Sequence, residues 1–350
     1  MKRKAIKIVV SMILILIASC DEPETVITNY VHPDGSVTRK IEMRNLKNSF
    51  KKSDIQVPFD STWIVKDSIE INKKGDTTWI KRAVKQFKNI DEINLAYNTD
   101  SGSNKRISRQ AGFRKKFKWF NSEFRFSERL DKQLSFGYPV KDFMNSEELL
   151  YFYSPESLKH VKETGPDSLK FRALADSVKR KTEKWTGKNL VSEWIGQFSI
   201  LTKGKADSDM SYQSLKSRED EFVTIVEKDD KQLDSLWKNG ILLKKFVGEA
   251  NALKFKSEAD SALAIITNKL LAEFHDYSVR IAMPGKLIGT NGFIDSSQVL
   301  QWPVKSDYFM SEPYIMWAES RIPNTWAWLV SGLFLAFVLT GVVLRVIKKD

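Results

Sequence analysis

The sequence has one cysteine and three histidines, and it lacks the common catalytic signatures. Because Cys20 has no second cysteine to pair with, an internal disulfide bond is excluded. His32, His160 and His275 do not have the spacing of metal ligands. The motifs G-x-S-x-G, G-x-G-x-x-G and H-E-x-x-H are absent, as is a P-loop. We therefore expect no catalytic residues, no metal site and no cofactor, and we interpret the chain as a binding protein rather than an enzyme.

Residues 1–20 have the organisation of a bacterial lipoprotein signal peptide. Residues 2–4 are basic, residues 6–17 are apolar except for Lys7 and Ser11, and Ala18 and Ser19 precede Cys20. The apolar run is too short for a comfortable transmembrane helix, which needs about 20 residues, and its flanks are those of a signal peptide. The pattern predicts cleavage before Cys20 and attachment of a diacylglycerol to its thiol. An uncleaved anchor with an incidental cysteine is the alternative.

A second apolar stretch, residues 325–344, contains no charged residue. At about 1.5 Å per residue it matches a hydrocarbon core about 30 Å thick, so we predict a transmembrane helix rather than a buried core helix. Trp326 and Trp328 lie at one end, where aromatic rings prefer the membrane interface, and the basic residues of the segment 345–350 lie at the other. The positive-inside rule predicts that this basic tail is cytoplasmic.

The two termini predict one topology. The signal peptide places residue 21 outside the cytoplasm, so residues 21–323 are expected to be exported and tethered at both ends. Asp21 and Glu22 resemble an inner-membrane retention signal of enteric lipoproteins and a surface-export signal of Bacteroidetes lipoproteins. The C-terminal helix favours the inner membrane, with the bulk of the chain periplasmic. Since DNA is a poor partner for an exported chain, the net charge of +12 suits anionic lipid headgroups or a solvated face, and we expect no nucleic acid.

The exported part has the pattern of an α+β protein. A hydrophobic content of 42% and 10 tryptophans indicate a folded body rather than a disordered stalk. Residues 21–141 are predicted to be rich in antiparallel strands, residues 142–275 to be helical, and residues 276–323 to return to strands. The Pro-Asp-Gly-Ser run at 33–36 predicts a hairpin turn, and Asn145 is a predicted helix N-cap. We interpret this as one β-rich domain with a large helical insertion, and two consecutive domains are the alternative.

The segment 113–128 alternates aromatic and polar residues. Phe117 and Trp119 alternate with lysines, and Phe124 and Phe126 alternate with polar residues. This period of two favours a strand whose aromatic face packs in the core. Lysines between aromatic rings are also typical of a ligand-stacking platform, which is the alternative. The run Lys-Phe-Lys-Trp-Phe also resembles uncharacterised Bacteroidetes lipoproteins, and that resemblance implies no function.

Residues 278–304 combine Pro284-Gly285, Asn291-Gly292 and Trp302 ahead of the apolar C-terminal stretch. This arrangement resembles the LppM-like lipoprotein module, in which two such strands precede a single C-terminal span. The resemblance implies a β-rich exported domain next to the membrane, with an apolar concavity for a lipid or lipid-like ligand. The long helical block departs from the compact pattern of that family. By their own chemistry, the two glycine dipeptides predict turns and Trp302 predicts core packing.

Three functions are compatible with this organisation. The leading hypothesis is a non-enzymatic, membrane-anchored envelope lipoprotein that binds a partner protein or an envelope component. The alternative is a lipid- or glycolipid-binding module of the LppM-like type, in which Trp302, Tyr314 and Trp317 border the path of the lipid. Packing of these three rings in the core is the competing interpretation. The third hypothesis is a hydrolase or transferase with a dispersed carboxylate site, which leaves no local motif.

Overall fold

The computed structural model describes residues 23–51, 54–100, 107–132, 136–163, 167–205, 210–228, 233–270, 274–295 and 297–347. The predicted signal peptide with its lipid-attachment residue Cys20 lies outside the described residues, as do residues 348–350 of the basic tail. Within the described part, strands come first, a block of helices follows, strands return, and one apolar helix comes last. The predicted α+β class is confirmed.

Seven strands form a first sheet, sheet A. They are β1 (Glu24–Val31), β2 (Val37–Asn45), β3 (Ile64–Ile71), β4 (Thr77–Phe87), β7 (Tyr277–Ala282), β9 (Phe293–Ile294) and β10 (Leu300–Val304). Their spatial order is β3-β4-β2-β1-β7-β10-β9. Neighbouring strands are antiparallel except β1 and β7, which are parallel. The sheet is therefore assembled from strands on both sides of the helical block.

Four strands form a second sheet, sheet B. They are β5 (Arg109–Lys118), β6 (Asn121–Leu130), β8 (Lys286–Thr290) and β11 (Tyr314–Pro323). Their spatial order is β5-β6-β11-β8, and every pair is antiparallel. The long central pair, β6 and β11, keeps one register from Leu130 opposite Tyr314 to Asn121 opposite Pro323.

Early and late strands share both sheets, which was the prediction for one discontinuous β-rich domain. In sheet A, β1 pairs with β7, and Val26 lies opposite Ser278. In sheet B, β6 pairs with β11 along their whole length. Because the late strands do not pair only with one another, the helices between them are an insertion in a β domain.

The core that both sheets share is built from alternate residues of their strands. In β1 and β2 every second side chain is buried, among them Ile27 and Ile41. The strands β6 and β11 contribute Phe126 and Met316 to the same cluster. Trp302, on β10, is 1% exposed in this cluster, so its predicted core packing is confirmed. A period of two is what places one face of each strand in the core.

The helical insertion has a core of its own and is joined to the β core by one long helix. The helices of the described residues up to position 270 are α1 (Ile90–Thr99), α2 (Ser146–Tyr153), α3 (Glu156–Glu163), α4 (Ser168–Thr202), α5 (Tyr212–Ser217), α6 (Glu219–Lys228), α7 (Leu233–Lys238), α8 (Ile241–Val247), α9 (Glu249–Lys254) and α10 (Lys256–Leu270). In α4, Trp185 packs in the β core, whereas Trp194 and Phe198 pack in the helical core. Asn145 caps α2 as predicted, since its side chain accepts a hydrogen bond from the Glu148 amide.

Two predicted turns depend on glycines with positive φ. Gly35 has φ +90 in the turn between β1 and β2, where the Asp34 carboxylate accepts a hydrogen bond from the Ser36 amide. Gly285 has φ +79 just before β8, and a Cβ there would lie 2.5 Å from the carbonyl oxygen of Arg321. Both positions favour glycine because other residues rarely adopt this backbone conformation.

Candidate membrane-proximal interface

The last helix, α11 (Thr325–Ile347), contains the segment that the sequence predicts to span a membrane. Its residues Thr325–Arg345 are long and apolar enough to cross one, and only 6% of this span is buried against the rest of the chain. A core helix of similar composition is mostly buried, whereas this one leaves Leu335 and Phe337 exposed. The helix is therefore compatible with membrane association.

Asn324 is the single residue between β11 and α11, and it joins the helix to the turn of the β5–β6 hairpin. Its side-chain amide donates to the carbonyl oxygens of Lys118 at 2.7 Å and Trp119 at 3.1 Å. Its backbone amide donates to the carbonyl oxygen of Phe120 at 3.0 Å. Its carbonyl accepts from the Ala327 amide in the first turn of the helix. One residue thus satisfies three carbonyls of the turn and begins α11.

Five aromatic rings surround this junction, and we call them the tip cluster: Phe117, Trp119, Phe120, Trp326 and Trp328. Phe117 stacks on Trp326 with ring centroids 6.3 Å apart, and Trp119 meets the same ring edge-on at 5.3 Å. Phe120 packs against Trp328 at 4.4 Å. The hairpin therefore contacts the first turn of α11 through rings as well as through hydrogen bonds.

Trp119 reaches further along the helix than the other rings of the tip cluster. Its indole Nε1 donates to the hydroxyl of Ser331 at 2.9 Å. Ser331 lies six residues after Thr325, which is about 9 Å along a helix axis. The tip of the hairpin consequently lies beside the first two turns of α11.

The predicted core strand over residues 113–128 is correct for one half of the segment and wrong for the other. Phe124 and Phe126 are buried in the core, as predicted. Phe117 and Trp119 are 57% and 48% exposed and lie at the hairpin tip instead. The physical reason is that the end of β5 extends beyond the core to reach α11, so its alternation no longer has a buried side.

A concentration of basic residues precedes the tip cluster along β5. Lys118 forms an ion pair with Glu123 at 2.7 Å, and Arg321 of β11 forms a second with the same carboxylate at 2.8 Å. Hydrogen bonds from Lys118 and Arg321 hold the pKa of Glu123 below its usual range. In the described part of the chain, Arg114 and Lys116 have no ion-pair partner. The hairpin end is therefore a positively charged surface.

Two shallow concavities lie on the outer face of sheet B, above the hairpin tip. The larger, of about 300 Å³, is lined by Gly112, Phe113, Arg114, Arg125 and Ser127. The smaller, of about 130 Å³, is lined by Arg114, Lys116, Glu123, Phe124, Arg125, Ile288 and Glu319. Arg114 lies directly opposite Arg125 in the register of β5 and β6. Like charges on facing residues are unfavourable, so this face is suited to an anionic contact.

The three aromatic residues proposed to border a lipid path lie in different surroundings. Trp302 is buried, and its indole Nε1 donates to the side chain of Asn291 at 3.0 Å. Tyr314 is buried, and its hydroxyl donates to the carbonyl oxygen of Pro303. Both rings pack in the core, which is the competing interpretation given by the sequence. Trp317 alone reaches the outer face of sheet B, where the guanidinium of Arg125 lies 4.6 Å from its ring.

The most strongly buried charges form a network in the β core. Arg39 pairs with Glu128, and it donates to Tyr97 at 2.8 Å and to Asn29 at 2.7 Å. Burial by itself lowers the pKa of Arg39, but the charges of Glu128 and Tyr97 raise it above its ordinary value. Burial raises the pKa of Tyr97. Of the polar atoms in this network, the side-chain nitrogen of Asn29 has no hydrogen-bond partner in the described part of the chain. The paired and hydrogen-bonded Arg39 and Glu128 fit a structural role.

The other side chains that could bind a metal ion or take part in catalysis do not cluster in the described residues. Among the described residues, no group of three histidine, cysteine or acidic side chains is arranged to hold a metal ion. The residues that sequence reasoning missed are Asn324 and Ser331, which fix the hairpin to α11. Asn324 had a local signal, because asparagine before a helical Thr325 is a good N-cap. Its hydrogen bonds to a turn about two hundred residues earlier in the chain had no local signal in the sequence.

Comparisons with known proteins give one weak likeness. No family model matches the chain, and no curated protein matches it. The folded domain of LppM from Mycobacterium tuberculosis, solved by NMR, is similar at 11% identity over 87% of this chain and 92% of that one, with a TM-score of 0.27. At that score the likeness carries no inference about this chain, and the LppM-like resemblance of residues 278–304 stays a prediction.

Proposed function

We propose that this chain is a non-enzymatic envelope lipoprotein, anchored in the inner membrane by α11 and by a lipid on Cys20, whose exported body binds a partner protein or an envelope component. The observation that carries the proposal is the short, hydrogen-bonded joint between sheet B and α11.

The joint supports a body held in one orientation. Only Asn324 separates Pro323, which is paired in β11, from Thr325 in α11. Its hydrogen bonds to the hairpin turn restrain the angle between sheet and helix. A chain that needed only a mobile tether would have no use for such a restraint. A fixed orientation suits a protein that presents one surface at a set distance from the bilayer.

The position of the helical insertion supports it as the surface that is presented to a partner. At about 3.3 Å per residue, Tyr314 lies about 30 Å along β11 from Pro323. The Tyr314 ring packs against Tyr153, which ends α2, and against Tyr308. The insertion therefore joins the β domain at the end of sheet B that is remote from α11. This arrangement favours the helical insertion as the surface that faces a partner.

The lipid-binding alternative has less support. It draws on the concavity of about 300 Å³ on the outer face of sheet B. That volume is at the lower end of small-molecule sites, which are about 300–1,000 Å³ and mostly apolar. Arginine side chains line the concavity, and Trp302 and Tyr314 lie in the core instead. A shallow surface concavity of this size encloses an acyl chain poorly.

The proposal is tested by photo-crosslinking the full-length chain in cells of its host. The crosslinker p-benzoylphenylalanine is placed at Leu169 in α4 or at Leu253 in α9, both exposed on the helical insertion. The matched control is Ile69, an exposed residue of β3. We expect a discrete protein adduct from one or both positions on the insertion and none from Ile69.

Membrane anchoring is measured on the same cells. The Cys20→Ala variant is expected to lose lipid labelling and yet resist extraction by alkaline carbonate, because α11 still spans. Extraction of that variant would contradict the anchor. Absence of protein adducts from both positions on the insertion would contradict partner binding. In that case, one molecule of lipid co-purifying with each molecule of protein would favour the lipid-binding alternative.

A further inference from the structure

We propose that the tip of the β5–β6 hairpin is a second membrane contact, which binds the anionic headgroups of phospholipids. The rings of Phe117, Trp119 and Phe120 lie at the boundary of the hydrocarbon, and the cations of Arg114 and Lys116 lie above them among the headgroups. This inference rests on the proposed function in one respect, since it requires α11 to lie in the bilayer.

The depth of the tip follows from its contacts with α11. The apolar span Thr325–Arg345 has 21 residues, and about 20 are needed to cross the hydrocarbon core. The first turns of α11 must therefore lie at or below the boundary of that core. Because Trp119 is hydrogen-bonded to Ser331 in the second turn, the tip is carried to the same depth. Lipid is the neighbour that a surface at this depth meets.

The side chains at the tip are those that favour a membrane boundary. Tryptophan is enriched where the headgroups meet the hydrocarbon, because its ring is apolar and its N–H is polar. Phe117, Trp119 and Phe120 are all exposed beyond their contacts with Trp326 and Trp328. In water these rings would form an exposed apolar patch at the end of a charged hairpin, which is unfavourable. Contact with lipid removes that cost.

The charges above the tip favour an anionic surface. Within five residues, Arg114, Lys115, Lys116 and Lys118 carry four positive charges. Glu123 neutralises Lys118, but Arg114 and Lys116 have no carboxylate partner in the described residues. At about 3.3 Å per residue, Lys116 lies about 7 Å and Arg114 about 13 Å along β5 from Lys118. The first distance lies within a headgroup layer about 5–8 Å thick. The second lies outside that layer, and the long side chain of Arg114 can reach back toward the headgroups.

The first experiment locates lipid contact in full-length protein reconstituted in vesicles of phosphatidylcholine and phosphatidylglycerol. The crosslinker p-benzoylphenylalanine is placed at Phe117, at Leu335 in α11, or at Ile69 in β3. All three side chains are exposed. We expect phospholipid adducts from Phe117 and Leu335 and none from Ile69.

The pattern of adducts separates this inference from the proposed function. Adducts from Leu335 without adducts from Phe117 would overturn the hairpin contact and leave the anchor intact. Absence of adducts from both positions would overturn the anchor itself. Adducts from Ile69 equal to those from Phe117 would show that labelling does not report position, and would also overturn the assignment of the tip.

The second experiment tests recognition of the anionic headgroup. With the crosslinker at Phe117, phosphatidylglycerol adducts are counted relative to phosphatidylcholine adducts at equal lipid fractions. Each cation near an anionic surface contributes about a fivefold preference, so the double variant Arg114→Gln and Lys116→Gln is expected to lose most of the enrichment. Both side chains are exposed and form no ion pair with another described residue, so the substitutions leave the fold intact.

The matched control is the tip of the β3–β4 hairpin. The double variant Lys73→Gln and Lys74→Gln removes the same charge from residues that contact neither α11 nor the tip cluster. It is expected to leave the enrichment unchanged. An equal yield of both lipids in the unaltered protein, or an equal loss in both variants, would overturn the recognition of anionic headgroups.

Discussion

The β3–β4 and β5–β6 hairpins have similar strands but opposite surroundings. Each is a pair of antiparallel strands with lysines near its tip, including Lys73 and Lys74 in one and Lys116 and Lys118 in the other. The first hairpin ends in solvent, whereas the second ends on α11. The two differ in where each turn obtains the hydrogen bonds that close it.

The β3–β4 turn supplies its own hydrogen bonds. The side chain of Asn72 accepts from the amides of Lys74 at 2.8 Å and Asp76 at 3.0 Å. Gly75 has φ +88, a conformation that glycine adopts at no steric cost. Asparagine, glycine and aspartate are the residues that favour turns, so this hairpin closes without help from another element.

The β5–β6 turn is closed from outside. Its two central residues, Trp119 and Phe120, are not turn-forming residues, although a two-residue hairpin strongly favours asparagine and glycine there. The carbonyl oxygens of Lys118, Trp119 and Phe120 are bound by Asn324 instead. A local rule is broken where another element provides compensation, which is typical of a functional surface.

The largest expected effect distinguishes the buried strand of one hairpin from the exposed strand of the other. Phe126 of β6 is fully buried, so Phe126→Ala should cost about 3–5 kcal/mol of unfolding free energy through lost burial and a cavity. Ile69 of β3 is 53% exposed, so Ile69→Ala should cost about 0.5 kcal/mol or less. Urea unfolding of the full-length protein in one detergent, followed by circular dichroism, measures both.

An equal loss of unfolding free energy from the two substitutions would contradict the contrast between a buried β6 and an exposed β3, because it would mean that β3 is covered in solution. Reconstitution in vesicles provides the control for detergent. If Ile69→Ala is costly only in vesicles, then the bilayer or a second copy covers β3.

The second prediction concerns the two asparagines that close the turns. Asn324→Ala removes three side-chain hydrogen bonds, two to turn carbonyls and one from the hydroxyl of Ser122, and should cost about 1–2 kcal/mol. Asn72→Ala removes bonds in an exposed turn where water replaces them, and should cost about 0.5 kcal/mol. Urea unfolding again measures both.

An Asn324→Ala variant as stable as the unaltered protein would show that the turn closes by itself. Asn324→Asp is the matched control, because it retains the acceptor for Ser122 but loses the donor to the carbonyls of Lys118 and Trp119. It should therefore lose most, but not all, of the stability that the alanine variant loses, and an aspartate variant as stable as the unaltered protein would show that the two donated bonds contribute nothing.

Much of the fold could be predicted from the sequence because its signals are local. Alternation in β1 and β6, the turn at Gly35 and the apolar run of α11 each identify an element by themselves. The ends of the helices were harder to predict from the sequence. The spacing of apolar residues predicts one helix over 243–253, but Gly248 at φ +80 divides it into α8 and α9.

The candidate site could not be predicted, because its contacts are not local. An alternating aromatic strand has the same pattern whether it ends in a core or on a membrane helix. What separates Phe117 from Phe126 is the position of α11 beside one end of β5, and about two hundred residues lie between them. The basic residues of β5 are visible in the sequence, but only the structure brings Asn324 and Ser331 to the hairpin tip.

The third prediction uses pH to loosen the contacts of β2 with the β3–β4 hairpin. Burial alone would raise the pKa of Glu42, but hydrogen bonds from Lys40, Arg82 and Arg44 lower it to about 2. Because the folded pKa is depressed, the stabilisation is complete above about pH 4.5 and is lost as pH falls toward 2. These half-exposed pairs join β2 to β4 and, through Arg44, to Glu70 of β3. We expect a loss of about 1 kcal/mol after screening by solvent.

The measurement is the unfolding free energy of the unaltered protein minus that of Glu42→Gln, taken at several pH values between 5 and 2. The difference should shrink across this window, because both proteins share every other titrating group. A difference that does not change with pH would mean that Glu42 is not held by the three basic side chains.

The smallest expected effect concerns the hydrogen bond from Trp119 to Ser331, which fixes the depth of the tip along α11. Trp119→Phe keeps an aromatic ring but removes the donor, and Ser331→Ala removes the acceptor. Hydrogen bonds between membrane segments contribute about 0.6 kcal/mol on average, so a double-mutant cycle in vesicles should give a coupling of about that size. The cycle Trp119→Phe with Thr340→Ala is the control, because the Thr340 hydroxyl is bonded within α11 and lies outside the interface. Additivity of Trp119→Phe and Ser331→Ala within about 0.3 kcal/mol would show that the contact is not formed in the bilayer, and the tip would then lie higher, among the headgroups alone.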